Sequence, residues 1–241
     1  MKLKDVWRKP RFAFVYLLVI WLFVTARTTE ATLRAGVIPI LLGELLRLWA
    51  NGYVGHRKVN WTEKWRGDAK IGRLITAGPY AFVRHPLYLG TFLIGVGFCV
   101  IVRNLWVGVA ALGFFLLLYR RKMDEEETMI RGEVGAEFER YERAVPRWIP
   151  TGRRYTEPYG EWSWRGIMAS KEWKTCVWVT VVVILLYFRE EYVQEPNRWM
   201  RAGGGHTMAL FGVMVALIAV DLVVELFIRR SKRRSGVGVR A

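Results

Sequence analysis

The sequence predicts an all-α, polytopic membrane protein of about six spans, and three observations carry that reading. First, 53% of the 241 residues are apolar although 37 Lys and Arg stand against 21 Asp and Glu, a net charge of +16. Second, the apolar residues gather into runs: Phe12–Ala26, Ala35–Ala50, Leu87–Val102, Leu105–Tyr119, Trp173–Phe188 and Thr207–Ile228. Several are shorter than the ~20 residues a span needs, and aromatic or basic flanks extend them. Third, the basic residues alternate by connection. They crowd before the first run (Lys2, Lys4, Arg8, Lys9, Arg11), between the second and third (Arg57 to Arg84) and in the tail "RRSKRRSGVGVR". They thin to Arg27 and Arg34, to Arg103, and to a sign-balanced stretch from Arg189 to Gly205. Positive charge collects on cytoplasmic loops, so both termini are expected in the cytoplasm. The excess charge then serves topology and attraction to anionic lipid rather than nucleic-acid binding.

Taken in order, the first run reads as an anchor. Val24-Thr25-Ala26 resembles a signal cleavage site, but removal would leave five spans and break the charge alternation. The second run carries Glu44 and Arg47 on one face, a costly placement that is either functional or a buried pair. From Asn51 to Arg84 the chain is Gly-, Trp- and Lys-rich with little periodicity, which predicts an ordered loop. Pro86 suits the first turn of a helix and places His85 at its cap. The free amides of that terminus attract an anion, and Arg84 and His85 add donors. Equally, Arg84 could reach lipid phosphates while His85 only caps. Gly95-Val96-Gly97 predicts close helix packing. After the fourth run, Arg120-Arg121-Lys122 precedes Asp124-Glu125-Glu126-Glu127. A ladder of i,i+4 pairs is one reading, but each pair has the weaker base-first orientation and contributes only ~0.3 kcal/mol. The other reading is a site where an acid holds a cation and a base an anion. Ile130, Val134, Phe138, Tyr141 and Val145 form one helical stripe that Pro146 ends. "TGRRYTEPYGEWSWRG" then supplies turns and interfacial tryptophans. Asp221 and Glu225 share a face of the last run, the triple glycine Gly203–Gly205 is an external turn, and Cys99 and Cys176 read as buried free thiols. No dinucleotide or phosphate-binding glycine loop, zinc-protease motif or serine elbow is present, and no metal site is expected.

Two stretches, "GRLITAGPYAFVRHPLYLG" and "EETMIRGEVGAEFERYERAVPRWIP", in that order and separated by a hairpin of spans, resemble the isoprenylcysteine carboxyl methyltransferase family. The likeness covers about residues 44 to 150, with Phe138 where a tyrosine is usual. It implies S-adenosyl-L-methionine as cofactor, held at the cytoplasmic membrane face by a loop and an amphipathic helix. By position, cofactor contacts would fall on Arg73, Leu74, Ile75, Tyr80, Arg84, His85, Pro86, Leu87, Tyr88, Gly90 and Glu126. Lys122 would face the acceptor, and Glu126 and Glu127 complete the expected catalytic set. The expected organisation is a two-span anchor (1–50), a methyltransferase core (51–150), then a linker and two further spans (151–241). The partners implied are the bilayer and a lipid-like or prenylated acceptor, with no nucleic acid and an oligomeric state left open.

Methyl transfer to a carboxylate needs no general base, because the acceptor is already ionised near neutral pH. An amine acceptor must first lose a proton, with Glu126 or Glu127 as candidate base. A phospholipid amine is therefore the alternative acceptor. A nicotinamide-dependent membrane sterol or enone reductase is the alternative enzyme, although such proteins have an acid where this chain has Thr91. A non-enzymatic scaffold or transporter would account for the spans and not for the two matched stretches.

Overall fold

The computed structural model describes residues 24–55, 61–66, 69–191 and 205–234. Seven helices and one two-stranded hairpin appear among them: α1 (Glu30–Val54), β1 (Trp61–Arg66), β2 (Ala69–Leu74), α2 (Pro86–Val102), α3 (Leu105–Val134), α4 (Ala136–Ala144), α5 (Trp164–Ser170), α6 (Glu172–Arg189) and α7 (Gly205–Arg234). The run Phe12–Ala26 falls almost wholly outside the described residues; each of the other five apolar runs lies on a helix. By length and composition, one described stretch, Thr207–Leu226 of α7, is long and apolar enough to cross a membrane. The others are interrupted by charge or, in α2, one turn or less too short. Two compact units divide the chain, Met1–Glu172 and Trp173–Ala241.

In the first unit α1 and α2 run antiparallel at backbone contact. A Cβ on Gly36 would stand 2.5 Å from the Gly97 carbonyl oxygen, and one on Gly43 would stand 2.5 Å from that of Gly90. These two glycine pairs, seven residues apart on each helix, let the backbones touch, as small residues do in membrane interfaces. Gly97 therefore packs as its neighbourhood predicts. The second contact needs more than glycine: Arg47 of α1 lays its stem on Gly90 and its guanidinium bonds Thr91 and, at 2.6 Å, the carboxylate of Glu172. Arg47 thus pairs with Glu172, whose side chain is fully buried, rather than with Glu44 on its own helix.

Arg103, in the left-handed region at φ 52°, turns the chain from α2 into α3, and the Asn104 side chain accepts from the Val107 amide to cap α3. Helix α3 does not stop where the apolar run ends at Tyr119. Leu, Tyr, Arg, Lys, Met and Glu all favour or tolerate helix, so it continues for 30 residues to Gly135, which takes φ 53°. The stripe from Ile130 to Val145 is consequently split between α3 and α4. Its members still meet: Ile130, Phe138, Tyr141 and Val145 form one buried cluster with Leu74, flanked by Val134 and Tyr155.

The segment read as a loop between Asn51 and Arg84 contains the antiparallel hairpin, with Trp61 opposite Leu74 and Arg66 opposite Ala69. After β2 a 3₁₀ turn, Gly78–Ala81, carries Tyr80 into a second cluster with Ala50, Val54, Ile75 and Leu87. The chain beyond α4 returns along this turn. Tyr155 donates its amide to Ala81 O, Tyr159 O accepts from Thr76 and Ala77, and Ser163 donates to Gly52 O. In the second unit α6 and α7 are antiparallel: Lys174 Nζ lies 2.6 Å from Glu225 and 3.5 Å from Asp221, while Thr207 meets Glu191 at the opposite end.

Candidate functional site

Proline at the first position of α2 costs no hydrogen bond and presets the helical φ. His85 occupies the cap position, but its ring does not cap. It turns to α3, with Nε2 2.8 Å from Glu127 Oε1 and Nδ1 3.8 Å from Glu126 Oε2. One turn on, the Tyr88 hydroxyl donates to Glu126, its ring stacked against His85 at 5.5 Å and edge-on to Tyr119 at 4.8 Å. Adjacent helical positions diverge by about 100°, so Glu126 meets the Tyr88 side of the imidazole and Glu127 the other.

Arg84 is buried, not directed to lipid: Nη1 lies 2.7 Å from Glu142 and 3.3 Å from Glu127. The segment after α4 closes the array. Pro146 O accepts from the Arg84 amide at 2.9 Å. Arg147 forks onto Glu127, with Nε at 3.0 Å and Nη2 on the second oxygen, and places Nη1 2.7 Å from Asp124. Trp148 lies edge-on to Phe92 and Phe115. Of the i,i+4 ladder, Arg121–Glu125 forms at 3.3 Å on the surface; Asp124 and Glu126 turn instead to Arg147 and Tyr88.

Charge balance sets the ionisation states. Burial pushes the Glu127 carboxyl up, yet hydrogen bonds from His85 and Arg147 and the charge of Arg84 outweigh it and hold its pKa at about 2. Glu142 is likewise raised by burial but lowered on balance by Arg84 and Arg131. The Tyr80 hydroxyl is raised well above the usual phenol range, by burial first and then by Tyr141 and Glu126, so it is neutral.

The structure therefore brings together Arg84, His85, Tyr88, Glu126 and Glu127, with Lys122 Nζ 5.4 Å from the centre of the Tyr88 ring. Pro86 and Leu87 are buried beside them. Ile75 and Tyr80 line the adjoining apolar cluster, while Leu74 belongs to the cluster under α4. Arg73 is exposed, its guanidinium 3.8 Å over the Tyr159 ring. Gly90 faces α1, where a Cβ would come within 2.6 Å of Arg47 Cγ, so its smallness serves helix contact. Sequence reasoning missed Arg147, Glu142 and Arg131. The one available signal was a lone arginine between Pro146 and Trp148, just past a helix end.

A family model described as the isoprenylcysteine carboxyl methyltransferase (ICMT) family matches residues 36–131. That stretch runs from α1 to the last turn of α3 and holds both walls of the array. Over that stretch the chain is similar to the ICMT family. It is 29% identical over 132 residues to protein-S-isoprenylcysteine O-methyltransferase of Homo sapiens, covering 55% of this chain and 42% of that protein. The Rattus norvegicus protein of the same name is 30% identical over 116 residues, 48% of this chain and 40% of that one. A cobalt-zinc-cadmium resistance protein, CzcN, of Cupriavidus metallidurans is 29% identical over 132 residues, 55% of this chain and 54% of its own length. The match thus spans about two fifths of the mammalian proteins and about half of the bacterial one. No solved structure matches the chain. The ICMT match ends at Arg131, so Glu142, Arg147 and helices α4 to α7 lie beyond it.

Proposed function

We propose that the protein is an integral membrane, S-adenosyl-L-methionine-dependent methyltransferase that O-methylates an apolar carboxylate of the prenylcysteine type. The observation that carries this reading is the convergence of the α2 helix mouth with Glu126 and Glu127, which lie on the far arm of the same helical hairpin.

The donor set suits this cofactor, which carries a carboxylate, an ammonium and a sulfonium. The amides opening α2 and the Arg84 Nε, a buried donor with no partner, suit the carboxylate, and Glu126 suits a positive centre. When bound, the cofactor supplies a methyl carbon on sulfonium, which an oxygen lone pair of the acceptor takes as the C–S bond breaks. The protein's part is alignment and exclusion of water. Tyr88 and His85 hold Glu126 and Glu127 in fixed directions, and Lys122, exposed next to the Tyr88 ring, attracts and orients an anionic acceptor. The acidity of Glu127 favours a carboxylate over an amine acceptor. A carboxylate with a pKa of about 2 is a poor base at neutral pH, where an amine would need one.

Multi-pass insertion is supported by where the large apolar side chains point, and a cytoplasmic site by the basic residues gathered between the second and third apolar runs. Ile38, Leu41, Leu42, Leu45 and Trp49 leave one face of α1 exposed, and Trp106, Val109, Leu116 and Leu117 do so on α3. A patch of that extent is rare on a water-exposed monomer and ordinary in lipid.

The test is transfer of radiolabelled methyl from S-adenosylmethionine by the purified chain, with a prenylcysteine analogue or a lipid extract as acceptor. Label released as methanol by base marks a methyl ester and supports the proposal; base-stable label in lipid would reassign the acceptor as an amine. Glu126→Ala should abolish cofactor binding, and retained affinity would overturn the assignment of Glu126.

A further inference from the structure

An ionised carboxylate offers about four lone-pair sites, and those of Glu127 are taken. Its Oε1 faces His85 Nε2 at 2.8 Å, Arg147 Nε at 3.0 Å and Arg84 Nη1 at 3.3 Å, while Oε2 receives Arg147 Nη2. Four nitrogens from three side chains thus converge on one buried carboxylate. Because an ionised carboxylate only accepts, His85 Nε2 carries a proton and the ring is held by it. Glu126, the next residue, differs. Among the described residues it takes one hydrogen bond, from Tyr88, and its Oε2 lies 3.8 Å from His85 Nδ1. Two consecutive acids on one helix therefore stand in unlike surroundings: one is saturated with donors, and the other keeps lone pairs for a ligand.

Arg147 supplies two of the four donors, from beyond the ICMT match, and its own place is fixed. Nη1 lies 2.7 Å from Asp124, one turn before Glu127 on α3, and the preceding residue, Pro146, accepts from the Arg84 amide at 2.9 Å. Asp124, Arg147, Glu127, Arg84, Glu142 and Arg131 follow one another as a chain of alternating charge, every link 3.3 Å or shorter. Three acids face three bases, so the chain is neutral. Without Arg147, Glu127 would keep the His85 ring and a share of Arg84, and would stand beside two like charges of its own helix, Asp124 and Glu126.

We propose that Arg147 is a positioning residue for methyl transfer: by forking onto both oxygens of Glu127 it locks that carboxylate to His85 Nε2, so that Glu127 serves the imidazole and Glu126, of the two acids, serves the ligand. The proposal rests on the methyltransferase reading above and moves Glu127 out of the expected catalytic set. Burial alone pushes the Glu127 carboxyl up, and the Arg147 hydrogen bonds are among the forces that bring it down to about 2. A variant without them retains the burial and loses half the donors. Its Glu127 then takes up a proton at a higher pH than in wild type, and the charge that holds His85 is lost.

The experiment measures methyl transfer to a prenylcysteine analogue, and binding of S-adenosylhomocysteine, by the purified full chain in detergent from about pH 4.5 to about pH 8. Arg147→Gln should fall short of wild type by a factor that is smallest near pH 8 and widens as pH falls, by about tenfold per pH unit below the new midpoint. Arg147→Lys, which keeps the charge and loses the fork, should show the same trend more weakly. On a Glu127→Gln background, Arg147→Gln should add no loss that depends on pH. A deficit of Arg147→Gln that is equal at every pH, or one that still widens on the Glu127→Gln background, would make Arg147 a structural contact only and overturn the proposal. Should Arg147→Gln fail to fold, the same two criteria apply to Arg147→Lys. A wild type that transfers no methyl and binds no S-adenosylhomocysteine would instead overturn the methyltransferase reading, and this inference with it.

Discussion

Acidifying the protein should dismantle the array through one residue, Glu127. Its side chain is 4% exposed and receives His85 Nε2 at 2.8 Å and Arg147 Nε at 3.0 Å, with Arg84 Nη1 at 3.3 Å. A carboxyl whose pKa is about 2 in the fold and about 4.3 in the unfolded chain binds its proton more readily when unfolded. Its contribution is therefore fully present above pH ~4.5 and is lost as pH falls toward 2. A shift of about two units corresponds to about 3 kcal/mol, or roughly 6–12 °C in melting temperature for a chain of this size. The assay is thermal unfolding in a fixed detergent from pH 7 to pH 2.5, for wild type and Glu127→Gln. The variant should be less stable by a constant amount down to pH ~5, and the gap should then narrow by about 3 kcal/mol at the acid end. A gap that stays constant through pH 3 would show that Glu127 titrates normally and that the three donors do not act on it as their distances indicate.

Two further outcomes follow from packing and pairing. Gly97→Ala, whose Cβ would sit 2.5 Å from Gly36 O and Ile40 Cγ1, should lower stability by about 1–3 kcal/mol, while Gly113→Ala, which meets no neighbouring element within 4 Å, should be neutral to stabilising by up to about 1 kcal/mol because alanine favours helix; paired melting curves read the difference. Arg47→Lys should cost about 1–3 kcal/mol by losing the fork onto Glu172. Adding Glu172→Gln to it should cost much less than that substitution does alone, whereas strict additivity in the double-mutant cycle would refute the pairing.

The helices were legible because apolar runs of helical length leave few alternatives. Their limits were not. The border between Tyr119 and Arg120 looks like the end of an element, yet no residue there opposes helix, and α3 passes through to the first conformational break at Gly135. The hairpin was missed because WTEKWR and AKIGRL show no clean alternation, although Gly67-Asp68 between them is a dipeptide suited to a tight turn. Arg84, His85 and Tyr88 stand at a helix start and Glu126 and Glu127 in an acidic block, so the two walls could be read. The bonds between them could not, since an arginine 20 residues beyond its carboxylate leaves no spacing signature. Glu44 and Arg47 look like a pair by spacing; the true partner of Arg47 is 125 residues away.

The continuity of α3 has a mechanical side. The helix has no hinge between Leu105 at the α2–α3 turn and Glu126 at the array, a distance of about 32 Å at 1.5 Å per residue. Rotation of such a rod by about 5° around its far end carries the carboxylates sideways by about 3 Å, as much as a whole hydrogen bond. Helices adjust their tilt to the thickness of the surrounding hydrocarbon. Inserted as proposed above, this rod would face lipid along one half and act as a lever on the other, and the composition of the host membrane would become a determinant of how well His85 and Tyr88 meet their acids.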